Sequence, residues 1–148
     1  GIFEDALAAN AVLTLFIPML MDTGGNSGSQ ASVTVIRAMS LGDVEFRDIF
    51  RVVWKELRVA LLCAMTLGVV VYAKVIFLDR KGPLVALVVA LTIIVTIILA
   101  KLVGCLLPML AKRLGFDPAV MASPFITTVV DALSLLVYFA VATQLLGL

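Results

Sequence analysis

Asp131 is the residue of this sequence with the clearest capacity for chemistry, because its carboxylate lies in a long apolar segment. Residues 119–148 contain no other charged side chain. An ionisable group inside such a run is costly in lipid, which makes it a functional-site hypothesis by default. Helical steps of three and four residues place a few polar or special residues of the segment on one face. They are Pro124, Thr127, Thr128, Asp131 and Ser134.

The polar groups within the apolar parts of the sequence are hard oxygen donors. Besides Asp131 they include the Asn26 amide and the hydroxyls of Ser123, Thr127, Thr128 and Ser134. Carboxylate, amide, hydroxyl and carbonyl oxygens suit Mg²⁺, Ca²⁺ or Mn²⁺ rather than soft metals. Mg²⁺ usually keeps several waters, so one or two carboxylates with a few carbonyls are enough to hold it. Asp131 becomes a pair of carboxylates when two copies of the chain face each other across a twofold axis.

Each of these residues also has a purely structural interpretation. Asp131 can be a protonated carboxyl that only hydrogen-bonds a neighbouring helix. Thr127 and Thr128 can donate to carbonyl oxygens one turn earlier in their own helix. Asp117 is followed by Pro118, which is the pattern of a helix N-cap. Asp22 is either a charge that attracts ions at the mouth of a cavity or an ordinary loop charge.

The composition predicts a membrane protein that is not an enzyme. Of the 148 residues 63% are hydrophobic and 14% are charged, against about 45–50% and 25% in soluble domains. The sequence has no histidine, which excludes an imidazole relay and a Ser-His-Asp triad within the chain. No nucleophile–base pair, phosphate-binding loop or nucleic-acid patch is found, and the expected surroundings are a lipid bilayer. Cys63 and Cys105 have no metal-ligand spacing and are interpreted as packing residues.

The first apolar span is predicted at about residues 6–41, with a break at 22–30. The run before the break is too short for a hydrocarbon core of ~30 Å. The break contains Asp22, Gly24, Gly25 and Asn26, and it is either an extramembrane loop or irregular backbone that lines a water-filled cavity. Both interpretations stay open on composition alone. In the second piece of the span, one helical face carries Asn26, Gln30, Thr34 and Arg37.

The remaining pattern predicts an all-α, polytopic transmembrane helical bundle. Residues 43–58 are charged with apolar residues at helical steps, which is typical of an amphipathic interfacial helix with Trp54 at headgroup level. Plain spans are predicted at 59–78, 83–111 and 119–147, with a tight turn at 79–83. Gly115 is expected to end one helix and Pro118 to begin the next.

The basic residues predict the orientation of the chain. Arg80 and Lys81 fall on one side of the predicted topology, and seven basic residues fall on the other. These seven are Arg37, Arg47, Arg51, Lys55, Arg58, Lys112 and Arg113. Their side is predicted to be cytoplasmic. Residues 2–21 lack the basic region and cleavage site of a signal peptide, and the start at Gly1 indicates a piece of a longer protein.

Two segments resemble the membrane domain of MgtE-type magnesium channels. Residues 18–31 read PMLMDTGGNSGSQA, which is similar to the GGN-x-G-x-Q signature of that family. Residues 123–131 read SPFITTVVD, with Asp117-Pro118-Ala119 ahead of them, and resemble the family's last transmembrane helix. The two motifs occur in the family's order, and the resemblance covers nearly the whole chain.

The resemblance implies a homodimeric Mg²⁺ channel in a bacterial inner membrane, with its pore between the subunits. Asp131 would hold the hydrated ion, helped by backbone carbonyls near Thr127 and Thr128. Asn26, with Gly25 beside it, would belong to the same site region, and Asp117 would lie near the cytoplasmic mouth. The family's cytoplasmic regulatory domains, including paired CBS domains, would be partners outside these residues. The family has five membrane helices, whereas this sequence predicts four spans.

Two other functions compete with the channel. One is Mg²⁺ exchange coupled to Na⁺ or H⁺, as proposed for the eukaryotic solute-carrier relatives of the family. The other is a non-conducting membrane subunit in which Asp131 only holds helices together. Because Mg²⁺, Mn²⁺, Co²⁺ and Ca²⁺ accept the same oxygen donors, the residue types do not rank these ions.

Overall fold

The computed structural model describes Ala8 and residues 11–147, except for the side chain of Ser123. This part of the chain forms α-helices joined by short connections, with no strand. The helices are α1 (Ile17–Ser40), α2 (Ile49–Phe77), α3 (Pro83–Arg113) and α4 (Ser123–Leu146). Short 3₁₀ turns at Phe46–Asp48 and Pro118–Met121 precede α2 and α4. The predicted all-α bundle is confirmed, and the predicted start of the first span near residue 6 lies outside the described residues.

Helix α3 is the centre of the bundle and packs against α1, α2 and α4. Buried residues cover most of its circumference, as in Val88, Val89 and Ala90, and a stripe of apolar residues that includes Leu87 and Leu91 is exposed. A helix that is apolar on all sides is stable only where other helices or lipid surround it. By contrast, the backbones of α1 and α2 seldom come close to each other, and the two helices meet mainly through side chains such as Val35 and Val52. The predicted span at 83–111 agrees with α3 to within two residues.

The amphipathic segment at 43–58 is not a separate interfacial helix, so this prediction is wrong. Residues from 49 onward belong to α2, which continues without interruption to Phe77. One face of α2 is buried from Glu56 through Ala60 and Ala64 to Val75. No proline or glycine lies between the charged and the apolar parts, so nothing ends the helix there. The charged residues are the first turns of a long helix rather than an element of their own.

The predicted break at 22–30 is also wrong, because α1 runs through these residues as one helix. The interruption lies earlier, at Leu15 and Phe16, between a helical turn at 11–14 and the start of α1. Pro18 explains its position, since proline has no N–H to donate and its ring clashes with the carbonyl four residues back. Pro18 is accordingly found in the first turn of α1, where proline is tolerated.

The glycines of α1 serve close packing instead of a break. A β-carbon on Gly24 would lie 2.7 Å from Thr96 Cγ2 and 2.8 Å from Ser134 Oγ. One on Gly28 would lie 2.9 Å from Ile126 Cγ2. Small residues at a helix–helix contact let two backbones approach, which is a main source of stability in membrane bundles. Tertiary packing therefore outweighs the low helix propensity of glycine in this segment.

The connections show which residues meet at each end of the bundle. The guanidinium of Arg113 lies 4.2 Å over the ring of Phe46, which joins the end of α3 to the start of α2. At the opposite end, Lys74 Nζ lies 2.7 Å from Asp79 Oδ2 in the turn between α2 and α3. Gly115 ends α3 with a φ of +84°, as expected for a helix C-terminus. The basic residues thus gather mainly at one end.

Among the described residues, three helical stretches are long and apolar enough to cross a membrane. They are Phe46–Phe77, Pro83–Arg113 and Pro124–Leu146. Helix α1 is long enough by itself, at about 36 Å, but it does not meet the same condition of apolar composition. Its buried face packs against α3 and α4, and most of its polar residues are exposed.

Candidate cation site

A cavity of about 160 Å³ lies between α1 and α4. Its lining residues come from two segments that are a hundred positions apart in the sequence. They are Met21, Asp22, Gly25, Asn26, Thr127 and Asp131. The cavity has room for several water molecules. The antiparallel packing of α1 on α4 therefore brings together the two motifs that the sequence singled out.

The α1 wall of the cavity exists because that helix is continuous. Met21, Asp22, Gly25 and Asn26 follow each other at steps of one and three, which is a single face of a regular helix. Asp22 and Asn26 are exposed, whereas Gly25 is buried beneath them. Met21 was not predicted from the sequence. Its spacing of four residues from Gly25 would have identified it if the segment had been taken as helical.

The α4 wall carries Thr127 and Asp131, one helical turn apart. The Thr127 hydroxyl donates a hydrogen bond of 3.0 Å to the carbonyl oxygen of Pro124, so its own oxygen can still accept or ligate. Asp131 is half-buried. Among the described residues, no neighbouring helix donates a hydrogen bond to the Asp131 carboxylate. The structural alternative, a carboxyl that holds two helices together, stays open beside the ligand role.

Gly25 sets the distance between the two walls. A β-carbon on this residue would lie 3.3 Å from Thr127 Cγ2 and 3.6 Å from Asp131 Oδ1. The first distance is tighter than most real β-carbon contacts, so any larger side chain would enter the cavity. Gly25 thus contributes space instead of a side-chain ligand.

Two of the predicted site residues lie outside the cavity. Thr128 is exposed on another part of α4, and its hydroxyl donates to the carbonyl oxygen of Pro124 at 2.9 Å. Asp117 is the N-cap of the 3₁₀ turn Pro118–Met121, where its Oδ1 accepts a hydrogen bond of 3.0 Å from the Ala119 N–H. Its predicted capping role is confirmed. Ser134 shares the α4 face of Asp131 but is buried, and its hydroxyl donates to the Val130 carbonyl oxygen.

The electrostatics of the cavity favour a cation. Its lining includes the carboxylates of Asp22 and Asp131 and no basic side chain. The amide of Asn26 and the hydroxyl of Thr127 add neutral oxygen donors. Within the described residues, however, no group of three or more acidic, cysteine or histidine side chains is placed to hold a metal ion. One chain thus offers a partial set of ligands for a hard cation.

The apolar helices define a class, a helical membrane protein, and the acidic cavity is its candidate site for a hard cation. Comparison with known families gives the narrower assignment. The chain belongs to the MgtE family of divalent cation transporters, whose family model matches residues 17–141.

Curated relatives agree with this assignment. A magnesium transporter MgtE of Thermus thermophilus is 40% identical over 144 residues, which cover 97% of this chain and 32% of the relative. One of Bacillus subtilis is 34% identical, with 95% of this chain and 31% of the relative covered. One of Enterococcus faecalis is 32% identical, with 96% and 31% covered. The chain therefore spans about a third of the length of these relatives.

Proposed function

We propose that this chain is the membrane pore of a Mg²⁺ channel and passes hydrated Mg²⁺ down its electrochemical gradient. The observation that carries the proposal is the cavity between α1 and α4, where Asp22 and Asp131 face the same space. Mg²⁺ loses its hydration waters reluctantly, so a site that offers few direct ligands and room for water suits it. In this function, Asp131 is the central ligand and the Asn26 amide assists it.

The pore lies between two copies of the chain. Asn26, Gln30, Thr34 and Arg37 are all exposed on one face of α1. An exposed polar face on a helix within a membrane bundle is costly against lipid and favourable against water or a second copy. A twofold axis beside this face doubles the number of carboxylates and completes the partial ligand set. Mg²⁺ is then both the transported and the pore-bound ion.

The basic end of the bundle is assigned to the cytoplasm of a multi-pass protein in a bacterial inner membrane. Arg47, Arg51, Lys112 and Arg113 lie in the connections or helix ends on this side, as the positive-inside rule requires. Asp117 lies in the connection on the same side, where it would meet ions at the cytoplasmic mouth. Cytoplasmic regulatory domains, if joined to this chain, would act at this end.

The experiment is Mg²⁺ flux into liposomes that contain a Mg²⁺-sensitive dye. Asp131→Asn keeps the shape of the side chain and removes the charge, so we expect flux to fall at least tenfold with an unchanged thermal unfolding profile. Asp43→Asn is the matched control, because Asp43 is an exposed carboxylate outside the cavity. Equal Mg²⁺ flux in the two variants would show that Asp131 is not the central ligand.

The same assay separates the channel from its rivals. A channel passes Mg²⁺ without a gradient of any second ion, whereas an exchanger stops when the Na⁺ and H⁺ gradients are collapsed. A non-conducting subunit shows no flux, and Asp131→Asn would instead lower its thermal stability.

A further inference from the structure

A second cavity, of about 400 Å³, lies between α1 and α2 at the basic end of the bundle. It exists because both helices pack closely on α3 while their own backbones stay further apart. Its apolar lining includes Val35 and Ala38 of α1 and Val52 of α2. Trp54, the one tryptophan of the sequence, also lines it and is 60% exposed. None of these residues takes part in the acidic cavity on α4.

The rim of this cavity is basic. Arg51, Lys55 and Arg58 line it and follow one another at steps of four and three, which is one face of α2. Arg51 has a distant partner in Asp48, at 3.6 Å. In the described part of the chain, no carboxylate pairs with Lys55 or Arg58. The guanidinium of Arg58 lies 5.9 Å from the centre of the Trp54 ring, which holds a cation beside an aromatic surface.

The acidic side chain of the cavity does not cancel this charge. Glu56 is only 8% exposed, and its Oε2 lies 4.0 Å from Nζ of Lys101, which is itself 7% exposed. A buried carboxylate beside a buried ammonium is neutralised locally. The rim of the cavity therefore remains positive, while its walls are apolar.

We infer that this cavity binds an acidic phospholipid, with its phosphate at the Lys55–Arg58 rim and an acyl chain along Val35, Ala38 and Val52. A soluble anion would pair the cations but leave the apolar walls against water. A neutral lipid would cover the walls but leave the cations without a partner. A lipid with a net negative headgroup satisfies both, and a tryptophan at the rim is typical of the membrane–water interface. This inference does not depend on whether the chain conducts Mg²⁺.

Trp54 allows a direct test, because its fluorescence comes from the wall of the cavity itself. The purified protein is titrated in detergent with phosphatidylglycerol brominated in its acyl chains, which quenches tryptophan on contact. Brominated phosphatidylcholine is titrated in parallel. We expect half-maximal quenching at a several-fold lower mole fraction of phosphatidylglycerol. Equal quenching by the two lipids would overturn the inference.

The charge requirement is tested by Lys55→Gln, a change at an exposed residue. The apparent affinity for phosphatidylglycerol should fall roughly fivefold, which corresponds to one basic residue near an anionic lipid surface. Arg47→Gln is the matched control: Arg47 is an exposed cation at the same end, is paired with Glu45 at 2.9 Å and does not line the cavity. If Lys55→Gln and Arg47→Gln bind the lipid equally well, the basic rim does not recognise the headgroup.

The apolar part is tested by Ala38→Phe, which fills the cavity without changing its charge. It should reduce quenching by phosphatidylglycerol at least fivefold while the thermal unfolding profile persists. Two other outcomes would overturn the inference. Reversal of quenching by millimolar inorganic phosphate would identify a site for soluble anions. Unchanged quenching in Ala38→Phe, together with a loss of dimer in lipid-free detergent, would identify the groove as a contact with a second copy.

Discussion

A β-carbon on Gly25 would lie 3.6 Å from Oδ1 of Asp131, so no side chain separates the α1 backbone from this carboxylate. The two residues belong to helices that are far apart in the sequence, and both line the acidic cavity. The space in front of Asp131 therefore depends on a residue that contributes no polar atom of its own side chain.

Gly25→Val should block the cavity without unfolding the protein. The branched side chain would extend past Thr127, whose Cγ2 would be 3.3 Å from the new β-carbon, into the space before Asp131. We expect Mg²⁺ flux in liposomes to fall at least tenfold. Gly82→Ala is the control, because a β-carbon at that position meets no atom within 4 Å. Wild-type flux in Gly25→Val would show that ions do not pass this cavity.

Gly24→Ala should destabilise the protein, in contrast to the change at Gly25. Its β-carbon would lie 2.7 Å from Thr96 Cγ2 and 2.8 Å from Ser134 Oγ, both of which are buried. Overpacking of this kind costs about 1–3 kcal/mol. Thermal unfolding in detergent measures it, and Gly82→Ala again serves as the control. An unchanged unfolding temperature would mean that α1 does not pack this closely on α3 and α4.

The continuity of α1 through residues 22–30 can be measured by cysteine scanning. In a background without Cys63 and Cys105, single cysteines at Asp22, Asn26 and Gln30 should react readily with a water-soluble maleimide. Cysteines at Ala31 and Ser32 should be protected, because both residues are buried. The expected pattern repeats every 3.6 residues. Uniform reactivity from 22 to 30 would favour the irregular segment that the glycines suggested.

Glu56 and Lys101 form a buried pair, so the effect of changing one on the free energy of unfolding should depend strongly on whether the other is present. Lys101→Met leaves a buried carboxylate without its partner, which typically costs about 3–5 kcal/mol of unfolding free energy. The double variant Glu56→Gln, Lys101→Met removes both charges and should cost clearly less.

The partly exposed pair at the opposite end is the control for this experiment. Lys74 lies 2.7 Å from Asp79, and Lys74→Met should cost no more than about 1 kcal/mol. Additive effects of the two changes at Glu56 and Lys101 would show that their charges do not interact.

The sequence predicted the α4 wall better than the α1 wall, for a physical reason. Thr127 and Asp131 lie in an apolar segment that must be helical to satisfy its backbone hydrogen bonds in lipid. Their spacing of four residues therefore predicted directly that they share one face. Residues 22–30 combine glycine, asparagine and serine, whose local preferences favour a turn. Contacts with Thr96, Val130 and Ser134 override these preferences, and no local pattern contains that information.

The long-range polar contacts could not be predicted from the sequence pattern either. The Ser32 hydroxyl donates a hydrogen bond of 2.7 Å to the carbonyl oxygen of Met121, and the Tyr138 hydroxyl donates one of 2.8 Å to that of Leu13. These bonds join α1 to the turn before α4, and the segment before α1 to α4 itself. Each partner is unremarkable in its own segment, so only the folded bundle identifies the pair.

The polar composition of α1 has a consequence for how the protein is made. Of the described helices, α1 leaves the ribosome first, yet it lacks the apolar composition that favours direct transfer into lipid. Its glycines Gly24 and Gly28 pack closely on α3 and α4. Stable insertion of α1 therefore has to wait until the last of these helices has been synthesised. The acidic cavity has one wall on α1 and one on α4, so it forms only when both helices are present.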